Sequence, residues 1–363
     1  MAIRFLFVVI RVNLNKMQNI YDLDAIKTID KSGMLGLIES FPEQCADAGR
    51  IGYSFKLPAS YRRKYDNIAV TGLGGSAIGA DIIRSYIAQE AAAPVFVNRN
   101  YSLPAFIGGG SLVVVSSYSG DTEETLAAYA DAKKKRAAII AITSGGRLKK
   151  IAGKDGYPVI TIPGGGLPPR AALGYSSIPL LILLTETGLI ADKKRELGGA
   201  VDNLRRMRRS DTGKKTALEL FGKFPVVYSA QDHIDAVATR WRGQLAENSK
   251  TLASSHAFPE ASHNEIVGWE NPRKLIGKFI VVMLRDRGDE TRVAKRMDIM
   301  KNILKGQKVK TLEIDSEGEG LLARIFSLVY IGDFVSFYLA ILNGCDPTPV
   351  DRIAYLKKKM AKA

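Results

Sequence analysis

The stretch 66–90, DNIAVTGLGGSAIGADIIRSYIAQE, changes its hydrophobic period once. Its first seven residues are a short apolar run with β-branched members. From Gly74 onward the apolar residues recur at helical spacing, so a strand passes into a helix through a glycine-rich turn. That step is the unit of an α/β fold with a parallel sheet, because parallel neighbours need a crossover across the sheet's face. The glycines let backbone N–H groups approach an anion at the helix's positive end, and phosphate is the natural guest.

Working outward, the same alternation continues. APVFVNR (93–99), SLVVVSS (111–117), AAIIAITSG (137–145) and YPVITIP (157–163) read as strands, with TEETLAAYADAKKKR (122–136) as a helix. A charge-dense helix over 192–214 separates this block from a second one. There FPVVYSA (224–230), KFIVVMLRD (278–286) and VKTLEID (309–315) are strands, and DAVATRWRGQLAENSKTLA (235–253) and TRVAKRMDIMKNILKGQ (291–307) are helices. An apolar helix over 320–342 and a short basic helix close the chain. The expected organisation is an N-terminal extension (1–16), a helical segment (17–60), a first α/β domain (61–190), a linking helix (191–214), a second α/β domain (215–346) and a C-terminal helix (347–363).

Composition bounds the function. The 363 residues suffice for two domains at roughly 100–200 residues each. With 46% hydrophobic and 25% charged residues the chain is an ordinary globular protein, not a disordered or fibrous one. Apolar stretches such as 178–184 have core length, and none reaches the roughly 18 uncharged residues of a membrane span. The run 5–10 is too short for a signal peptide core, so 1–16 reads as a start-codon extension or frayed tail. Cys45 and Cys345 are far apart and without metal-ligand spacing, which fits a reducing cytoplasm and argues against a disulfide or zinc scaffold. The net charge of +15 is spread over many helix faces without interleaved aromatics, so it suits an anionic substrate better than a nucleic acid.

Two loops carry the chemistry. The first, Gly72-Leu73-Gly74-Gly75-Ser76-Ala77, also satisfies a GxGxxA dinucleotide pattern, although the second strand ends at Asn98-Arg99 without a carboxylate for a ribose. The second runs from the strand 111–117 through Ser116, Ser117, Ser119 and Thr122 into a helix. Its hydroxyls and free helix amides form a neutral cradle for a phosphate dianion. Helix capping is the competing reading there, with Asp121 and Glu124 as a capping box, but it leaves Ser117 and Ser119 unexplained.

These two loops resemble the phosphosugar-binding loops of sugar isomerase (SIS) domains. Together with Pro168-Pro169-Arg170-Ala171-Ala172-Leu173-Gly174, Glu247-Asn248-Ser249-Lys250 and His263-Asn264-Glu265-Ile266-Val267-Gly268, the chain from about residue 17 onward resembles the bifunctional phosphoglucose/phosphomannose isomerases. The resemblance implies an α/β fold of two SIS-type, flavodoxin-like αβα domains, each with a mainly parallel sheet. It also implies a homodimer, no metal, no organic cofactor, and interconversion of glucose 6-phosphate and mannose 6-phosphate with fructose 6-phosphate. Substrate contacts would come from Gly74, Gly75, Ser76, Ser117, Ser119, Thr122 and Arg170.

Residue chemistry meets these implications. Aldose–ketose conversion through an enediol needs one base that takes a proton from one carbon and returns it to the next. The resemblance gives that role to Glu247, whose carboxyl partial desolvation would raise toward working pH. An ordinary exposed glutamate paired with Lys250 is the bland alternative. Arg170, behind two prolines, would steady charge on the enediolate oxygens. Ring opening needs a proton carrier, and His263 lies in a polar loop unsuited to a core. In the resembled family this histidine comes across the dimer interface with a C-terminal lysine as its partner, best matched here by Lys357. Thr348 is a candidate for distinguishing the epimers. Two further readings stay open: an NAD(P)-linked oxidoreductase using the 72–77 loop, and a non-catalytic phosphosugar-binding protein. An amidotransferase-type synthase would need an N-terminal nucleophilic cysteine, where this chain has Ala2 and Gln18.

Overall fold

A computed structural model describes residues 18–208 and 210–360. The expected 1–16 extension and Met17 lie outside the described residues. The first sheet contains β1 (Asn67–Thr71), β2 (Val95–Asn98), β3 (Ser111–Ser117), β4 (Ala138–Thr143) and β5 (Val159–Thr161) in the order 2-1-3-4-5, every pair parallel. The second contains β6 (Phe224–Ala230), β7 (Ser254–Phe258), β8 (Phe279–Arg285) and β9 (Lys310–Asp315) in the order 7-6-8-9, also parallel. Both orders reverse direction after the first strand of the block, and that reversal opens a crevice at the carboxyl ends of β1 and β3, and again of β6 and β8.

The central strand β3 is buried at all seven positions, which explains its unbroken apolar run. One apolar core draws side chains from both sheets, among them Val70 and Val114 from the first and Val227 and Val282 from the second. At its centre lies the helix Leu321–Asn343, packed against the helices Lys194–Met207, Thr212–Leu220 and Asp235–Glu247. This helix is long and apolar enough to cross a bilayer, which the sequence reading did not anticipate. Its apolar window is wholly buried in the protein, and its one carboxylate, Asp333, is ion-paired with Arg240.

Three local readings are corrected. The 192–214 stretch is two helices, Lys194–Met207 and Thr212–Leu220. The Ser210 hydroxyl accepts the Thr212 N–H at 3.3 Å between them. The helix expected over 235–253 stops at Glu247: Lys250 takes a left-handed φ of 55°, Thr251 N–H returns to the Leu245 carbonyl at 3.0 Å, and the chain enters β7. A lysine here does what glycine usually does at a helix end, so the sequence carries no stop signal. Finally, Asp121 and Glu124 form no capping box. The cap residue is Thr122, without a side-chain bond, and the Asp121 carboxylate accepts the Arg147 N–H at 3.0 Å instead.

Candidate active site

The crevice of the first sheet is built from the two loops singled out above. Gly74 has a φ of +52°, a left-handed conformation that favours glycine, and it starts the helix Gly74–Ile87. A Cβ on Gly75 would lie 2.2 Å from the Pro169 carbonyl oxygen, so this glycine lets the loop before Arg170 press against the helix start. Ser76 is buried and accepts the Tyr118 N–H at 3.3 Å, joining the two loops. Ser117 is also buried; its hydroxyl donates to Thr122 Oγ1 at 3.1 Å and accepts the Gly120 N–H at 3.1 Å. Ser119 is exposed, and Thr122 is half-buried at the start of the helix Glu123–Lys134, where no side chain among the described residues caps the first-turn amides. Four hydroxyls thus sort into two that shape the cradle and two at its mouth.

Arg170 lies beside this cradle, only 5% exposed. Its Nε donates to Asn248 Oδ1 at 2.6 Å, and one terminal nitrogen donates to the carbonyls of Pro347 and Thr348 at 2.7 and 2.8 Å. The remaining nitrogen faces Glu247 Oε2 at 3.4 Å. Burial pulls the Arg170 pKa down, while the Glu247 charge opposes that shift. Glu247, the last residue of the helix Asp235–Glu247, keeps a third of its side chain exposed and pairs with Arg170 rather than with Lys250. The Lys250 ammonium instead donates to the carbonyls of Glu247, Asn248, Asp346 and Pro347. Burial lowers its pKa.

Behind them runs a buried polar network that the sequence reading missed. Arg240 donates to the Arg170 carbonyl at 3.0 Å and to both oxygens of Asp333, and Gln244 donates to Asp333 Oδ1 at 2.8 Å. Asn248 Nδ2 donates to the Ser336 hydroxyl at 2.9 Å. Two signals were available: a polar stripe of Arg240, Gln244 and Asn248 at steps of four on a largely buried helix, and Asp333 as the only carboxylate in an apolar one. The structure thus brings Gly75, Arg170, Glu247 and the Thr348 backbone together with the cradle.

It does not bring in His263 or Lys357 within this one chain. His263 is exposed in the segment after β7, and its ring has no hydrogen-bond partner among the described residues. Lys357 lies on the helix Asp351–Met360, which buries no residue. The Thr348 hydroxyl is buried without a partner among the described residues. At the end of β2, where a dinucleotide fold would hold a ribose, Asn98 donates to Thr71 Oγ1 and Arg99 pairs with Asp81.

Comparison with known proteins decides the family. The chain is 46% identical over 338 residues to the bifunctional phosphoglucose/phosphomannose isomerase of Caldicellulosiruptor bescii, covering 91% of this chain and 99% of that protein. The chain belongs to the bifunctional phosphoglucose/phosphomannose isomerase family. The enzyme of the same name from Aquifex aeolicus is 37% identical over 82% of this chain and 91% of its own length. A D-glucosamine-6-phosphate 4-epimerase of Sulfolobus acidocaldarius is 32% identical, over 62% of this chain and 71% of that protein. Residues 209–360 match the family model of the bacterial phospho-glucose isomerase C-terminal SIS domain. In fold the chain is similar to the C-terminal domain of glucosamine-fructose-6-phosphate aminotransferase from Francisella tularensis. That match has a TM-score of 0.65 at 17% identity and covers 87% of this chain and 98% of the other. The two parallel sheets are the SIS-type α/β fold.

Proposed function

We propose that this chain is a sugar-phosphate isomerase that interconverts glucose 6-phosphate and mannose 6-phosphate with fructose 6-phosphate through ring opening and a cis-enediolate. The observation that carries the reading is the pairing of Arg170, buried on a loop pressed against Gly75 of the first phosphate-binding turn, with the one-third-exposed Glu247. In this reading the phosphate dianion takes hydrogen bonds from Ser119, Thr122 and the first-turn amides of the helix Glu123–Lys134. That seat fixes the sugar so that its first two carbons reach Glu247. The carboxylate takes the proton from one carbon and returns it to the other. Arg170, already anchored on Asn248 and two carbonyls, aims its remaining edge at the charge that develops on the enediolate oxygens.

Ring opening falls to His263, with Lys357 as its partner. Both are exposed in the single chain, and the C-terminal helix leaves Tyr355 64% and Leu356 60% exposed. Exposed apolar side chains on a basic helix, and a histidine without a ring partner among the described residues, support a homodimer in which one subunit completes the other's site. The Thr348 hydroxyl, unpaired among the described residues and with its own carbonyl holding Arg170, is the group assigned to telling the epimers apart.

A coupled assay with glucose 6-phosphate, mannose 6-phosphate, glucosamine 6-phosphate and unphosphorylated glucose tests the substrate class. Turnover of the first two alone is expected. Glu247→Gln keeps the shape and removes the base, so it should abolish isomerisation while fructose 6-phosphate still binds. A Glu247→Gln enzyme that turns over normally would overturn the assignment. Mixed dimers of Glu247→Gln and His263→Ala should regain activity if the site is shared. None after verified subunit exchange would remove the shared-site part of the reading.

A further inference from the structure

The segment that carries His263 has its own anchoring system, separate from the Arg170–Glu247 cluster. Glu265, two residues on, folds back over the edge of the second sheet. Its Oε1 accepts the Tyr228 hydroxyl at 3.0 Å, and its Oε2 meets His256 Nδ1. Tyr228 and His256 are register partners on β6 and β7, so one carboxylate spans two neighbouring strands. Trp269, 6% exposed, donates its indole N–H to the same Tyr228 oxygen at 2.9 Å. Burial, with the Glu265 charge adding to it, raises the Tyr228 hydroxyl pKa, which keeps it a neutral donor.

The other side of His263 is pinned as well. The Ser262 hydroxyl accepts from Arg296 at 3.0 Å and donates to the Pro259 carbonyl at 2.6 Å. The Asn264 amide donates to Glu260 at 2.7 Å, and the His263 N–H reaches the Glu260 carbonyl at 2.8 Å. An exposed histidine is thus held at both flanks by side-chain bonds, an expensive arrangement for a loop that only turns a corner. Packing alone does not require it: Trp269 and Ile276 already seal this segment onto the sheet.

We propose that Glu265 is a positioning residue. Its carboxylate, gripped by Tyr228 and His256, sets where the exposed His263 ring is presented. It thereby governs ring opening and leaves phosphosugar binding alone, because the phosphate seat lies on the other sheet. This rests on the reading above that His263 carries the ring-opening proton.

The test compares wild type with Glu265→Ala, Glu265→Gln, Tyr228→Phe and His263→Ala, measuring kcat and KM for fructose 6-phosphate and for an open-chain analogue that cannot cyclise. Glu265→Ala should lower kcat on the closed-ring substrate by roughly 10- to 100-fold, the effect of misplacing a reacting group by about an ångström, with KM nearly unchanged. The open-chain analogue should lose far less. Glu265→Gln, which still accepts from Tyr228, should recover part of the loss, and Tyr228→Phe should fall between the two. Equal losses on both substrates, or a raised KM with intact kcat, would make Glu265 a structural residue only and overturn the proposal. If His263→Ala turns over the closed ring normally, the His263 reading itself falls. If His263→Ala is impaired and Glu265→Ala is not, the positioning proposal falls alone. Should Glu265→Ala fail to fold, the Tyr228→Phe comparison on the two substrates decides by the same criterion.

Discussion

The two sheets open matching crevices and fill them differently. After β3, Ser117, Ser119 and Thr122 ring a helix start that no side chain among the described residues caps. After β8, the equivalent helix Thr291–Gly306 is capped by Glu290, which accepts the N–H groups of Arg292 and Val293 at 2.7 and 3.0 Å. The floor of that second crevice is also occupied from within. Asp286, its side chain fully buried, accepts from His233 at 2.8 Å, Arg324 at 2.8 Å, the Gly288 N–H at 2.8 Å, and Ser316. Burial alone would raise the Asp286 pKa. The four hydrogen bonds outweigh it and hold the carboxyl well below the usual carboxylate range. One crevice presents donors to an incoming anion, whereas the other satisfies its donors with the chain's own carboxylates. A duplicated architecture therefore needs only a few side chains to leave one site open and close its twin.

The sharpest way to break that comparison is Asp286→Asn. The change keeps the shape but strands His233 and Arg324 without their buried charge, so it should cost about 3–5 kcal/mol of stability. Isomerase activity per folded molecule should not change, because the open crevice is untouched. The pH dependence has a fixed sign. A depressed carboxyl contributes stability that is fully present above its unfolded pKa, near 3.8, and is lost as pH falls toward the folded value. The gap between wild type and Asp286→Asn should therefore be wide at pH 7 and narrow steadily below pH 4. Thermal melts across that range check both points, and a pH-independent gap would mean that Asp286 acts by packing rather than charge.

Much of this contrast was legible in the sequence, and the illegible part has physical causes. The strand–turn–helix step at 66–90 and the hydroxyl run after β3 are local patterns, and local patterns survive in a string of letters. The anchors are not local. Asn248, Pro347 and Thr348 meet on Arg170 across sequence separations of 78 to 178 residues, and Asp333 finds Arg240 across 93. β7 was missed because Lys250 stands where a glycine would have announced the helix end. His233 and His256 stand in no local sequence motif, because their partners, Asp286 and Glu265, sit on other elements.

The open crevice is sharpened by Ser119→Ala and Thr122→Ala. Each should remove a hydrogen bond to a charged phosphate worth about 1.5–3 kcal/mol, raising KM for fructose 6-phosphate by roughly 10-fold or more. Stability should move little: Ser119 is exposed, and Thr122 caps no amide and gives up only the bond it accepts from Ser117, whose hydroxyl keeps the Gly120 N–H. The opposite pattern, an unchanged KM with a lower melting temperature, would make these hydroxyls structural and put the phosphate elsewhere.

The smallest expected effect belongs to Glu290→Ala. This carboxylate takes two first-turn amides and also sits at the positive end of a sixteen-residue helix, so both capping and dipole terms are lost with it. Removing such a cap costs about 1 kcal/mol, a few degrees of melting temperature at most in a chain of this size. Catalysis should be unaffected, because the lost bonds lie at Arg292 and Val293, while Arg296, the residue of this helix that holds Ser262 beside His263, sits a turn further on. The informative comparison is with Thr122→Ala at the matching position of the first sheet: one variant should lose stability and keep KM, the other should lose KM and keep stability. If both lose stability alike, the two helix starts are the same kind of structure and the open-versus-filled distinction is wrong.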